Sequence, residues 1–251
     1  MSVQVALLGL VVGTFIGISG VGAGTLMAPT LILLGIHPSI AIGTDLAYSS
    51  VTKLVGTARN ASRRLVSRPW LLWMSLGSIP GTVLGTEFTR LLHGDSEHFL
   101  KTALAVVLIV ASVAIVLKEF LAARGIIPRT MDLIQAHPWL IVAVGAVIGF
   151  LVGLTSIGSG SLFMLFLMAF SSLTPREAVA TDIANAAGLT LVAALLHLAN
   201  HSVNVPLAAN LLLGSVPGIL LGSRLAQHVP ARPLKFGIAV LVLASAVKMI
   251  V

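Results

Sequence analysis

The sequence predicts an all-α, polytopic membrane protein made of two inverted repeats, each a broken or re-entrant helix pair plus three transmembrane helices. Three observations carry the prediction. Of 251 residues, 57% are hydrophobic and 9% charged, whereas soluble domains carry about 25% charge; a mean hydropathy of +1.06 agrees. So little charge cannot cover a surface that faces water. The apolar residues also gather into runs long enough to cross a hydrocarbon core of roughly 30 Å. Finally, the runs come twice, and the charge of the joins between them changes sides in the second set.

The runs fall at 3–34, 39–57, 69–92, 99–118, 139–170, 175–198, 205–227 and 232–251. The opening MSVQVALLGLVVG lacks a positively charged start, so it reads as part of a span and not as a cleaved signal peptide. Run 3–34 as one helix would reach about 48 Å, too long for an upright crossing. Small residues interrupt it at Ser19-Gly20-Val21-Gly22-Ala23-Gly24-Thr25, which predicts two short helices joined by a bend at membrane depth. The next helix starts after Pro38, and the third run carries the kink pair Pro80-Gly81. Run 139–170 repeats the length problem and has its own interruption, Thr155-Ser156-Ile157-Gly158-Ser159-Gly160-Ser161. A helix then starts after Pro175, and Pro217-Gly218 repeats the kink in the run after it.

The two halves align. GTFIGISGVGAGTL (13–26) matches GFLVGLTSIGSGSL (149–162) with five identities. AIGTDLA (41–47) matches AVATDIA (178–184), and LGSIPGTVLGT (76–86) shares seven of eleven positions with LGSVPGILLGS (213–223). Three blocks in one order, at an offset of 136 or 137, indicate duplication.

Charge relates the repeats, because Lys and Arg favour cytoplasmic joins. Arg59, Arg63, Arg64 and Arg68 place the 59–68 join inside, and its counterpart, 197–204, has neither Lys nor Arg. The 93–98 join holds Asp95 and Glu97 between Arg90 and Lys101, while its counterpart near 228–235 holds Arg232 and Lys235 after Arg224. The bias flips, as inverted topology requires, so each broken segment enters and leaves on one side. Both termini then lie outside the cell (inner) membrane, and Lys118, Arg124 and Arg129 put the central join inside, with Arg176. The joins are too short for a soluble domain. The expected organisation is a single membrane domain, 1–251: repeat one 1–118, a cytoplasmic join 119–138, and repeat two 139–251.

Composition excludes several functions. Zero cysteines rule out disulfides, thiolate metal sites and a cysteine nucleophile. The net charge of +7 comes from residues spread between apolar runs, not from the clustered basic face that nucleic acid needs. No H-E-x-x-H or G-x-S-x-G motif occurs, so the chain does not read as an enzyme. Neither a cofactor nor a metal is expected: His197 and His201 sit at an outer helix end without a nearby carboxylate. They read as interfacial.

What remains is the chemistry of the interruptions. Inverted repeats with broken helices are a transporter signature, with substrate bound near the midplane. A helix starting at Thr25 or Ser161 offers unpaired N–H groups and a partial positive charge to an anion. Gly22, Gly24, Gly158 and Gly160 allow close approach, and Thr25, Ser159 and Ser161 add hydroxyls. Gly13-xxx-Gly17 and Gly149-xxx-Gly153 serve helix packing instead. Asp45 and Asp182 stand at matching positions two turns into their helices, and a carboxylate in the membrane suggests ion coupling. Thr44, Thr181 and Asn185 lie beside them as further ligand contacts. Lys53 is read as snorkelling to the arginine-rich helix end.

With GISGVGAGTLMAPTL (17–31), AIGTDLAYSSVTKLVGT (41–57), VATDIANAAGLTLVAALLHL (179–198) and LLLGSVPGILLGSRLA (211–226) in view, the chain resembles the sulfite exporter TauE/SafE family over nearly its whole length. Ala23 departs from a frequent glycine, Leu165 stands where the first half has Pro29, and Asp45 and Asp182 stand where many relatives have serine. The resemblance implies a secondary transporter of a small sulfur-containing anion, sulfite or organosulfonate-like, working by alternating access. Protons are the expected coupling ion, with sodium the alternative. The other reading of the same helix ends is a passive anion channel. The expected partners are that anion, protons and the lipid bilayer; a homodimer is allowed, and nucleic acid is not expected.

Overall fold

The computed structural model of the chain describes residues 3–19, 25–62, 64–91, 96–123, 137–225, 237, 240 and 242–248, and every regular element among them is helical. The helices are α1 (Val3–Ser19), α2 (Met27–Leu33), α3 (Pro38–Ser62), α4 (Arg68–Leu91), α5 (Ser96–Ala123), α6 (Pro138–Thr155), α7 (Leu162–Phe170), α8 (Pro175–Ala199) and α9 (Val205–Leu225). Residues 242–248 are helical too. Both overlong runs are divided as their length required, into α1 and α2 and into α6 and α7. Gly22 and Gly24 lie outside the described residues, as do the joins over 92–95, 124–136 and 226–236.

Local chemistry sets the helix starts. Proline opens α3, α6 and α8, where a missing N–H does no harm because first-turn donors have no intrahelical partner. At α8 a capping box adds to this: Glu177 N–H donates to the Thr174 hydroxyl at 3.4 Å, and Thr174 N–H donates to the Glu177 carboxylate at 2.9 Å. Pro138–Thr155, Arg176–Ala199 and Val205–Gly222 have the length and apolarity of a crossing, and Gln4–Phe15 and His98–Val113 are shorter apolar helices. α3 has 25 residues and α4 has 24, each about 36 Å of helix.

The side chains are distributed as lipid demands. Thr44, Asp45, Ser49, Ser78, Thr82, Thr181 and Asn185 are buried, whereas Leu7, Leu72, Leu84, Val147, Leu195 and Leu213 are exposed. Water-soluble proteins arrange these residue types the other way round.

Glycine brings the main helix pairs together. The most extensive contacts among the described helices are α1 with α9 and α4 with α6. A Cβ on Gly13 would stand 2.7 Å from Ser215 Cα, and one on Gly149 would stand 2.7 Å from Ser78 Cα. Such seams admit only the smallest residues. They are the same contact with the halves exchanged, since Gly149 aligns with Gly13 and Ser215 with Ser78. Gly9 lies against Leu211 and Gly13 against Ser215, so α1 runs parallel to α9; Gly77 against Val142 and Gly85 against Phe150 make α4 parallel to α6. Trp73 and Trp139, near the starts of α4 and α6, meet edge to face at 5.5 Å.

α3 and its duplicate α8 pack the other way. Gly43 lies against His197, while Thr57 Oγ1 donates to the Ile183 carbonyl at 3.4 Å. Rising numbers on one helix meet falling numbers on the other, so the pair is antiparallel. The close seams carry a test. Gly13→Val and Gly149→Val should each lower the stability of the detergent-solubilised protein by about 1–3 kcal/mol, as over-packing does. Gly188→Ala, whose Cβ would come no nearer than 4.0 Å to Ile79, should leave the thermal melt, followed by tryptophan fluorescence, unchanged or slightly raised.

Candidate functional site

Between α6 and α7 the chain leaves the helix through two left-handed residues, Ser156 at φ 64 and Gly158 at φ 110. Glycine takes the second conformation without Cβ strain. The freed backbone groups are met from nearby. Ser156 N–H donates to the Val152 carbonyl at 2.7 Å, and Ile157 N–H to the Thr155 hydroxyl at 3.2 Å. Leu162 and Phe163 N–H both reach the Gly158 carbonyl, at 3.1 and 3.4 Å. Two of the α7 first-turn donors that the sequence offered to a ligand are thus engaged within the break. Ser161 is the N-cap residue but makes no side-chain cap. In the first half, α2 starts at Met27, two residues beyond the expected Thr25, which is buried just before it.

α3 crosses this break with both of its intramembrane charges. The Ser156 hydroxyl donates to the Asp45 carboxylate, and the Lys53 ammonium donates to Ser159 Oγ at 2.7 Å. A charge away from water is tolerated only with such partners. Asp45, Ser156, Ser159 and Ser161 are all buried. Among the described residues, Asp45 Oδ1 and Ser161 Oγ have no hydrogen-bond partner. Gly160, between the two serines, is half-buried.

The other expected residues are spread along the α3·α8 pair. Asn185 accepts at Oδ1 from Ser75 Oγ at 3.1 Å and from Ser78 Oγ at 3.0 Å, and its Nδ2 has no partner among the described residues. Thr44 accepts from Asn204 N–H at 3.0 Å, and Thr181 from Ser67 N–H at 2.9 Å. These two bonds are again one bond with the halves exchanged. They tie each threonine to the loop that precedes α9 or α4.

Asp45 and Asp182 do not face each other. In the α3·α8 register, Asp182 lies level with Ala58 and Asp45 level with Leu195, which separates the carboxylates by roughly 20 Å along the pair. Lys53 stands between them, level with Ala187 in the same register, and within electrostatic reach of both.

Two sequence expectations change here. Lys53 points to the break and not to the arginine-rich end, because Ser159 offers it an acceptor there. His197 is not interfacial: it is 1% exposed, packed on Gly43, with Nδ1 2.9 Å from Ser202 Oγ as the 200–204 loop folds back over the helix end. Ser156 and Lys53 are the residues that sequence reasoning passed over. The signal for Ser156 was a hydroxyl in the second interruption at the position where the first has Gly20. For Lys53 it was an amine eight residues after a buried carboxylate, aligned with Thr190 in the second half. An apolar groove of about 430 Å³ between α5 and Val240 and Leu243 lies apart from all these groups.

The chain has relatives along its whole length. The family described as sulfite exporter TauE/SafE matches residues 5–249. The probable membrane transporter protein YjnA of Bacillus subtilis (strain 168) is 41% identical over 255 residues, covering 100% of both chains. Two more proteins of that organism, both named probable membrane transporter proteins, are similar. YunE is 28% identical over 90% of this chain and 88% of its own, and YdhB is 25% identical over 92% and 91%. No solved structure matches the chain.

The bond from Ser156 to Asp45 should matter to folding whatever the chain carries. Ser156→Ala leaves a buried carboxylate short of a donor and should cost about 1–3 kcal/mol in thermal or denaturant melts. Ser112→Ala removes only a hydroxyl bonded to the Leu108 carbonyl of its own helix and should change little.

Proposed function

The chain belongs to the sulfite exporter TauE/SafE family, a family of membrane transporters, and on that premise we propose that it is a secondary transporter of a small sulfur-containing anion, sulfite or an organosulfonate. The substrate binds near the bilayer midplane between two inverted repeats, 1–118 and 139–251, joined on the cytoplasmic side by 119–138. The observation that carries this reading is the crossing of α3 over the break between α6 and α7, where Asp45 and Lys53 meet Ser156 and Ser159. Transporters place substrate and coupling ions at such breaks, because only there can irregular backbone face a cavity at membrane depth.

The antiparallel run of α3 and α8 supports the inversion. α4 starts at the arginine-rich join and α6 starts beside it, so both begin on the cytoplasmic side by the positive-inside rule. α9 begins at the join without Lys or Arg, and α1, parallel to it, begins outside with it. Gly158, Ser159, Gly160 and Ser161, the Asn185 amide, and from the first half Gly22, Gly24 and Thr25 line the path. Thr44 and Thr181 hold the loops next to it. Asp45 and Asp182, one toward each end of the α3·α8 pair, take up and release the coupling protons.

The test is sulfite uptake into liposomes holding the purified protein, with and without an imposed pH gradient. Uptake should saturate and be driven by the gradient, and Asp45→Asn and Asp182→Asn should each abolish gradient-driven accumulation. Flux that never saturates and ignores the gradient would mean a passive channel. Asparagine variants that accumulate sulfite like wild type would remove the carboxylates from coupling.

A further inference from the structure

We propose that the Lys53 ammonium is the cation that binds the transported anion, held over the α6–α7 break by its hydrogen bond to Ser159. The inference rests on the transport reading above and adds the group that selects for negative charge. Its first support is position. Lys53 lies within about two residues of the level at which α3 and α8 cross register, the middle of the helix pair, with one carboxylate toward each end.

The second support is chemistry. An ammonium has three donors, and among the described residues Ser159 is its one acceptor. Ser161, two residues further along the same break, adds a buried hydroxyl that has no partner among the described residues. Both groups can give hydrogen bonds to the oxygens of a sulfite or sulfonate, and bonds from an ammonium to an oxyanion are the strong, charge-assisted kind. A lysine this deep is costly to keep, and its long stem allowed the alternative of reaching the arginine-rich helix end. It is instead turned toward the break.

The third support is asymmetry. The glycine seams and the bonds of Thr44 and Thr181 recur when the halves are exchanged, as scaffold features should. Lys53 does not recur: the aligned residue is Thr190, whose hydroxyl bonds the Ala186 carbonyl of its own helix at 2.6 Å. A fold that needed this tether would need it twice, whereas one anion needs one cation. A monoanion on Lys53 forms a neutral pair, while the carboxylates on either side repel it unless protonated. Passage of the anion and protonation of Asp45 and Asp182 are then linked by charge.

Three substitutions separate charge from tether. Lys53→Gln keeps a donor for Ser159 and removes the charge, Lys53→Arg keeps the charge, and Ser159→Ala removes the tether, with one hydroxyl of the path, and keeps the charge. With sulfite as probe in proteoliposomes, Lys53→Gln should raise KM by about tenfold or more, the loss expected of a hydrogen bond to a charged group. Lys53→Arg should stay much closer to wild type, and Ser159→Ala should lower the maximal rate more than it raises KM. Carbamylation of Lys53 by cyanate in the unmodified protein, read by mass spectrometry, gives a measurement that no folding defect can confuse: sulfite should slow it. A wild-type KM in Lys53→Gln, or carbamylation indifferent to sulfite in a protein that transports it, would overturn the role of Lys53 alone. A wild-type protein that neither transports nor binds sulfite would overturn the transport reading, and this proposal with it.

Discussion

Hydrocarbon offers no water to a bare carbonyl, N–H or charge, so each polar group at membrane depth must be answered by another part of the protein. In this chain that constraint binds together two segments far apart in sequence. The α6–α7 break can exist because Thr155, Val152 and Gly158 take up its backbone groups. Asp45 can be buried because Ser156 donates to it, and Lys53 can be half-buried because Ser159 accepts from it. The charged helix of one half therefore depends on the unwound segment of the other, and the break is pinned to α3 by the same bonds.

Around this crossing the duplicated chain builds two kinds of contact. The parallel pairs α1·α9 and α4·α6 are close seams in which glycines meet backbone, with no space for a side chain to rearrange. The antiparallel α3·α8 pair is of another kind: Gly56 meets a methyl of the Ile183 side chain, Gly43 meets the His197 side chain, and the Thr57 hydroxyl reaches across the pair. Tight seams suit units that move as bodies, and the polar pair between them is where a path for an ion is cheapest to open.

The fold was legible because its main signals are lengths and repeats. Runs too long for one crossing had to break, and small residues marked both places; prolines marked the starts of α3 and α8. The seams of Gly13 and Gly149 could also be foreseen, since spacing by four fixes a helix face. The site was legible only in part. Sequence placed serines and glycines in the break and aspartates on α3 and α8, but register between helices sets what those aspartates face, and register follows from tertiary packing. That inverted repeats bring them in from opposite faces followed from their alignment; the level each reaches on the partner helix did not. Lys53 was misassigned for a related reason. Seen along the chain it lies near an arginine-rich end, and only packing shows that Ser159 is nearer. The loop N–H groups that Thr44 and Thr181 accept from lie more than a hundred residues away, so those bonds could not be read along the chain.

The central claim is that the α6–α7 break is the point where the two halves open a path, and it can be tested by access. The chain has no cysteine, so Ser161→Cys supplies the single thiol of the protein in nearly the size of the hydroxyl it replaces. A membrane-impermeant maleimide would be added to one face and then the other, using right-side-out and inverted vesicles. The account expects Ser161→Cys to react from both faces, as a residue on an alternately opened path must. Reaction from one face only, or none until the protein is denatured, would make the break part of the packed interior and contradict the claim.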